Sequence, residues 1–295
     1  MLPSFELYAP KTIAEACRMK RQLQAPIVAG GTDVFVAMHG GGMRPEALID
    51  IKGIEGLHEF SQTADHVTLG ALTSHRFIEE SEFFRTVYTA LYEGCSQVGS
   101  VQIRQRGTLG GNICNAVPSA DSIGPLLVFD ALCIAASEEA ERAVPLNDFF
   151  LGPKKTVLGP DELLKALVLP VPAPGTGSCY IKYTRRKAMD LALCGYSMQL
   201  TLDEDGTIVA ARTALTTCAP TPIRGPKAEE YLLGKRASAV DLEALGPIAA
   251  EDAHPRSSWR ASAEFRWKMI QELSVRAFQT ALARAEGNQL ISTHD

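Results

Sequence analysis

The segment Thr108–Asp121 reads TLGGNICNAVPSAD, with adjacent glycines, two asparagines, a proline and almost no bulk. In a chain with 46% hydrophobic residues, this scarcity of side chain constrains the fold more than any other feature. Glycine lets a backbone approach another backbone or a ligand closely, and it permits angles that other residues resist. A second segment of this kind, Ala29-Gly30-Gly31-Thr32-Asp33, follows the apolar run that starts at Pro26. Both read as glycine loops that offer successive backbone N–H groups beside a small hydroxyl, Thr32 or Thr108. Such concavities bind anions, commonly a diphosphate. Short glycine patterns also occur as plain tight turns in packed domains. Neither segment has the Gly-x-Gly-x-x-Gly of a dinucleotide fold or the Gly-Lys-Ser/Thr of a P-loop, so any anion is held on a different scaffold.

Around these segments the chain alternates helix and strand. Thr12-Ile-Ala-Glu15 is a capping box that predicts a helix to about Gln22. Residues 26–29 and 46–51 read as strands parallel to each other, with Gly40-Gly41-Gly42 as a flexible loop between them. Residues 66–73 read as a further strand. Phe84, Val87, Leu91 and Cys95 recur at helical spacing and predict one helix over about 82–96. The Pro- and Gly-rich run 168–178 reads as a linker. Beyond it, SCYIKYTRR, YSMQLTL and TIVAARTALTT predict a β-meander with a turn at 203–206. A long helix follows, with Phe265, Met269, Leu273, Ala277 and Ala281 on one face. The first part therefore reads as α/β and the second as α+β, without internal repeats.

Composition narrows the chemistry. A net charge of -5 argues against a nucleic-acid partner. No apolar run approaches the roughly 20 residues that span a bilayer, and the N-terminus lacks the pattern of a secretory signal. Seven scattered cysteines without Cys-x-x-Cys read as reduced thiols of a cytoplasmic protein, not as a disulfide framework or cluster ligands. The six histidines, His294 among them, are spread without metal-ligand spacing. No Gly-x-Ser-x-Gly elbow is present. Cys114 reads as a small packing residue and not as a nucleophile, because no base lies near it in sequence. The basic cluster 182–190 reads as a solvated strand end, or as a cation that reaches an electron-rich ring or a phosphate.

Taken together, AGGTD at 29–33, QIRQRGTLGGNICNAVPSAD at 102–121 and YIKYTRRKAMDLA at 180–192 resemble the FAD-binding (medium) subunit of the molybdenum hydroxylases. CAPTPIR at 218–224 and AHPRSSWRAS at 253–262 are similar to bacterial xanthine dehydrogenase subunits of this kind. The resemblance covers nearly the whole chain. It implies a two-lobed FAD-binding domain of the vanillyl-alcohol-oxidase (PCMH) type over 1–172, with lobes of about 1–55 and 56–172. A smaller α+β domain of the carbon monoxide dehydrogenase flavoprotein C-terminal type would follow over 178–288. By the same likeness, Val28, Ala29, Gly30, Gly31, Thr32 and Asp33 would line the FAD diphosphate, together with Gly107, Thr108, Gly110, Gly111 and Asn112. Asp121 would accept a hydrogen bond near the adenosine or ribitol end, Leu163 would touch the adenine side, and Lys182 would approach the isoalloxazine. Val98 stands where some relatives place an aromatic against the flavin. Asp190 would shape the access of NAD.

The resemblance also implies a division of labour. A large subunit would hydroxylate the substrate at a molybdenum cofactor, a small subunit would carry two [2Fe–2S] clusters, and this chain would pass a hydride from FAD to NAD. The expected assembly is an obligate complex, a dimer of heterotrimers, with no acid–base residue of this chain in the chemistry. No cysteine-rich insertion marks the variant that carries an extra cluster. Alternatives are the same role with carbon monoxide, nicotinate or another N-heterocycle as substrate, an assembly subunit that has lost flavin, and a free-standing reductase of the enolpyruvyl-glucosamine type.

Overall fold

The computed structural model describes residues 2–287; His294 and the expected domain end at 288 lie outside them. The chain divides into two compact units, and the division does not run along the sequence. One unit comprises residues 2–77, Val101–Ala116 and Ala131–Pro170; the other comprises Ile78–Ser100, Val117–Asp130 and residues 171–287. Two internal segments that the sequence places with the first part thus cluster with the second.

In the first unit, Thr12 caps the helix Ile13–Leu23, its Oγ1 accepting from the Glu15 N–H at 3.1 Å. The Glu15 carboxylate accepts from the N–H of Lys11, one residue before the cap, at 2.7 Å. Ala16 and Cys17 of this helix are fully buried beside Ile49, Ile51 and Leu72. The strand Ala47–Asp50 is parallel to Ile27–Val28, as the alternation predicts, and on its other side pairs in parallel with Glu6–Tyr8, a strand the sequence reading did not mark. Besides a small two-stranded sheet, Phe150–Gly152 with Lys155–Thr156, the unit also holds a five-stranded antiparallel one. Its central strand, Leu163–Pro170, pairs with His66–Gly70 on one side and Leu132–Ala136 on the other. No local pattern announces a partner nearly a hundred residues away, which is why the period-two signal at 66–73 gives a strand but not its place.

The second unit is a four-stranded antiparallel meander in sequential order: Thr176–Tyr183, Cys194–Leu202, Ile208–Thr216 and Ile223–Arg224. Its strands alternate, and the alternation decides what covers each face. Cys179, Tyr196, Met198 and Leu200 join Ile270, Leu273 and Ala277 of the helix Ala263–Ala285 in one buried cluster. Ser178, Tyr180, Lys182, Gly195 and Ser197 occupy the opposite face, beneath the helices Thr89–Ser96 and Ile123–Val128.

Several expectations need correction. The predicted linker 168–178 shrinks to 171–175, because strands run through Pro170 and resume at Thr176. The single helix over 82–96 is two helices, Glu82–Val87 and Thr89–Ser96, broken at Tyr88. Tyr88 is fully buried, with its ring 5.7 Å from Phe84 and 5.0 Å from Phe129, and this aromatic wedge fixes the break. On the long helix the buried stripe is Arg266, Ile270, Leu273, Ala277 and Ala281, while Phe265 is exposed. The stripe starts one position late because the buried Arg266 guanidinium caps the Leu193 carbonyl and the Ser258 hydroxyl, a role that a sequence pattern reads as solvent-facing. Among the described residues, no helix is long and apolar enough to cross a membrane.

Candidate functional site

The two glycine segments meet in the first unit, and their small residues are what lets them meet. A Cβ on Gly30 would land on the carbonyl group of Arg106. On Gly107 it would lie 3.0 Å from the Ile103 carbonyl and 3.7 Å from the Thr32 hydroxyl. On Gly110 it would lie 2.6 Å from the Ala71 carbonyl, to which the Gly110 N–H donates at 2.9 Å. Gly31 has φ +77, and a Cβ there would strike the Phe35 ring at 2.6 Å. The scarcity of side chain therefore serves backbone packed on backbone first.

The second segment is also not a loop. Thr108 caps a helix, Leu109–Asn115, its Oγ1 accepting from the Gly111 N–H at 3.0 Å. The N–H groups of Leu109, Gly110 and Asn112 go to the carbonyls of Thr73, Ala71 and Thr108. All four donors from Leu109 to Asn112 are thus spent inside the protein. The first segment is the reverse: among the described residues, no protein group accepts from the N–H of Gly30, Gly31, Thr32 or Asp33. Unpaired backbone donors cost free energy when they lose water. A group rich in oxygen is the natural occupant of four of them in succession.

A pocket of about 260 Å³ opens beside the junction, lined by Gly30, Thr108, Arg106, Lys52, Thr73 and Phe77, among others. Thr73 is buried, and its hydroxyl has no hydrogen-bond partner among the described residues. The Lys52 ammonium pairs with Asp50 at 2.7 Å, while Arg106 contributes a second cation. His75, fully enclosed nearby, donates its backbone N–H to the Gly107 carbonyl at 3.1 Å. Burial, seconded by the charge of Arg104, lowers its imidazole to about 4, so the ring is neutral. Open N–H groups, an orphaned hydroxyl and cations are a donor set for phosphate oxygens, and they fit the diphosphate of FAD.

The remaining predicted residues are placed as follows. Val28 and Ala29 lead into the first segment; Val28 is buried against Met38 and Leu48 and offers only backbone. Asp33 is exposed at the start of the helix Val34–His39. Leu163 is a core residue of the central strand beside Cys17 and Leu72. Cys114 is exposed, not packed, which corrects the sequence reading. Desolvation of the sulfur, opposed by the charge of Lys20, still holds the thiol up at about 12, so it stays protonated.

Asp121 and Lys182 belong to the second unit and bind each other, Nζ to Oδ2 at 2.8 Å. Asp121 Oδ1 accepts from the Tyr180 hydroxyl at 2.8 Å. Burial raises the Asp121 carboxyl, and the Lys182 charge and hydrogen bond pull it back. Asp190 closes its own loop by accepting from the N–H groups of Arg185 and Arg186 at 3.0 and 3.1 Å. Val98 lies half-buried just past the helix Thr89–Ser96. Sequence reasoning missed Arg106, Lys52, Thr73 and Phe77. Arg106 stands inside a quoted motif; the other three carry no local signal, because Lys52 and Thr73 follow the ends of strands and Phe77 lies on the helix His75–Glu80, and only the fold brings them together here. Among the described residues, no group of three or more His, Cys, Asp or Glu is placed to hold a metal ion.

Comparison with known proteins agrees with this geometry. The family profile described as "FAD binding domain in molybdopterin dehydrogenase" matches residues 3–172, and "CO dehydrogenase flavoprotein C-terminal domain" matches residues 179–281. The chain belongs to the FAD-binding subunits of the molybdenum hydroxylases. Among these subunits it is 36% identical over 266 residues to the xanthine dehydrogenase FAD-binding subunit of Escherichia coli O157:H7, covering 90% of this chain and 91% of that one. It is 29% identical to the nicotinate dehydrogenase FAD-subunit of Eubacterium barkeri, over 97% of this chain and 99% of that one. Its fold superposes on carbon monoxide dehydrogenase from Hydrogenophaga pseudoflava with a TM-score of 0.92 at 31% identity, covering 96% of this chain and 99% of that one. The fold is thus the two-domain FAD-binding architecture of this family.

Proposed function

We propose that this chain holds FAD through Val28–Asp33 and Gly107–Asn112 and serves as the flavin relay of a multi-subunit hydroxylase. The four open N–H groups of Gly30–Asp33 support the reading most directly. In this reading the residues up to 172 form the cofactor domain, and a smaller domain begins at 178. Leu163 serves the adenine side, Asp121 accepts near the ribityl chain, and Lys182 faces the flavin ring. FAD, when bound, supplies the exchange between single electrons and a hydride. This chain's own residues bind and orient it. Gly30 and Gly107 keep the two segments together, Thr108 fixes the start of its helix, and the neutral His75 supports the junction without adding charge.

The electrons come from [2Fe–2S] clusters of a small partner subunit, and NAD takes the hydride. A large partner subunit holds the molybdenum cofactor and meets the substrate. The complex is a dimer of heterotrimers in the cytoplasm. Identity of 36% to a xanthine dehydrogenase subunit supports a purine as that substrate. The end-to-end likeness to a nicotinate dehydrogenase subunit supports the same relay role with an N-heterocycle instead.

The test is to purify the chain, record its visible absorption, denature it and identify the released chromophore. Stoichiometric FAD is the expected result, followed by NADH oxidation with an artificial acceptor. A chain that stays colourless both alone and in its native complex overturns the proposal.

A further inference from the structure

One face of the meander carries a built network of buried charge. Lys182 Nζ donates to Asp121 Oδ2 at 2.8 Å and to the Gln97 carbonyl at 3.0 Å. The two side chains are 5% and 7% exposed, so water screens them little. The second Asp121 oxygen takes the Tyr180 hydroxyl at 2.8 Å. Both carboxylate oxygens are therefore engaged, one by a cation and one by a neutral donor.

Two glycines make the arrangement possible. Gly195 faces Lys182 in register on the neighbouring strand. A Cβ there would lie 2.7 Å from the Tyr180 hydroxyl and would strike the Thr216 hydroxyl as well. A Cβ on Gly94 would lie 2.5 Å from the Asp121 carbonyl. One glycine leaves room for the tyrosine to reach the carboxylate, and the other lets a helix press on the aspartate backbone. Glu93 extends the network: it accepts the Tyr180 N–H at 2.7 Å and pairs with Arg284 at 2.6 Å. Tyr180 is thereby fixed at its backbone as well as at its hydroxyl.

An ammonium locked to a carboxylate presents little net charge to its surroundings, whereas a bare one in the same place is a strong local cation. How much positive charge Lys182 offers is then decided by Asp121, not by Lys182 itself. We infer that Asp121 is a positioning residue for Lys182: with Tyr180 it fixes the ammonium and cancels most of its charge, and so sets the reduction potential of the bound flavin. The inference rests on the reading that Lys182 faces the flavin ring. A net positive charge there favours the reduced flavin, which carries the added negative charge, and raises the potential.

The experiment measures the midpoint potential and the visible absorption of FAD in the intact complex, for the wild type, Asp121→Asn, Lys182→Met and the double variant. Asp121→Asn leaves the cation uncompensated, and its potential is expected to rise. The double variant removes that cation and is expected to return near the wild-type value, a non-additivity that a merely structural aspartate does not produce. Asp121→Glu, which keeps the charge, is expected to stay near the wild type. Lys182→Met is expected to move the flavin absorption bands. If those bands and every potential stay unchanged, the placement of Lys182 at the flavin fails. If the bands move but Asp121→Asn keeps the wild-type potential, or its rise persists in the double variant, the positioning role fails. Should Asp121→Asn not fold, Tyr180→Phe decides. Loss of its hydroxyl bond disfavours the charged carboxylate, so a smaller rise is expected, and an unchanged potential overturns the inference.

Discussion

The carbonyl group of Arg106 stands where a side chain on Gly30 would have to begin. Two segments far apart in sequence are thus joined backbone to backbone, and the open N–H groups of Gly30–Asp33 are held in place by that contact. Gly30→Ala is expected to separate them, costing about 3 kcal/mol, the upper end for overpacking against atoms that cannot rotate away. Flavin should be lost with it. Gly42→Ala, where the nearest atom lies at an ordinary 3.6 Å, is the control and should keep both stability and flavin. Thermal midpoints and flavin content of the two variants decide the matter, and a flavin-replete Gly30→Ala chain counts against the junction.

Gly111 is the second probe. A Cβ there would lie 2.9 Å from the Thr108 hydroxyl and 3.8 Å from Ala29, at the point where cap and first segment converge. Gly111→Val is expected to abolish flavin binding while far-ultraviolet circular dichroism stays native. Thr108→Ala should instead cost about 1 kcal/mol, the usual worth of a lost helix cap. Full FAD content in the valine variant sinks the assignment of this segment to the cofactor.

His75 gives the first unit a pH dependence of known sign. Its pKa is about 4 in the folded protein against 6.5 ordinarily, so between these values the unfolded chain binds more protons. Stability therefore rises with pH across that window, by up to about 1.4 kcal/mol per pH unit, and is lost as pH falls from about 6.5 towards 4. Urea midpoints at pH 7 and pH 5 measure it. His75→Gln should flatten the difference; an equal difference in the variant excludes His75 as its source.

Glu93 and Arg284 are 6% and 8% exposed and lie 2.6 Å apart. Arg284→Ala leaves the carboxylate buried without its cation and should cost about 3 kcal/mol, at the low end for a broken buried pair because the Tyr180 N–H still donates to it. Glu93→Gln combined with Arg284→Met should recover part of that loss. Chemical denaturation of Arg284→Ala, of Glu93→Gln and Arg284→Met singly, and of their double variant tests this, and strictly additive losses speak against the pairing.

Several features could be read from the residues in order. Thr12 and Glu15 mark the first helix, alternating residues mark the meander, and the glycine segments in their order mark the family. These signals are local, because caps, turns and side-chain periods are fixed by neighbours along the chain. Local signals misled where a long-range contact overrode them. Tyr88 breaks a helix that periodicity runs straight through, since it anchors on Phe129. Arg266 is buried because the distant Leu193 carbonyl receives it, together with the Ser258 hydroxyl.

The sequence by itself determined the family, the meander and the two segments around which the site forms. The tertiary structure alone decided which of those segments keeps its donors free. It spends those of Leu109–Asn112 on Thr73, Ala71 and Thr108 and leaves those of Gly30–Asp33 open. It also decided that Lys182 is paired with Asp121. The reason is physical: a hydrogen bond or an ion pair belongs to two residues, and folding alone brings the second one into reach.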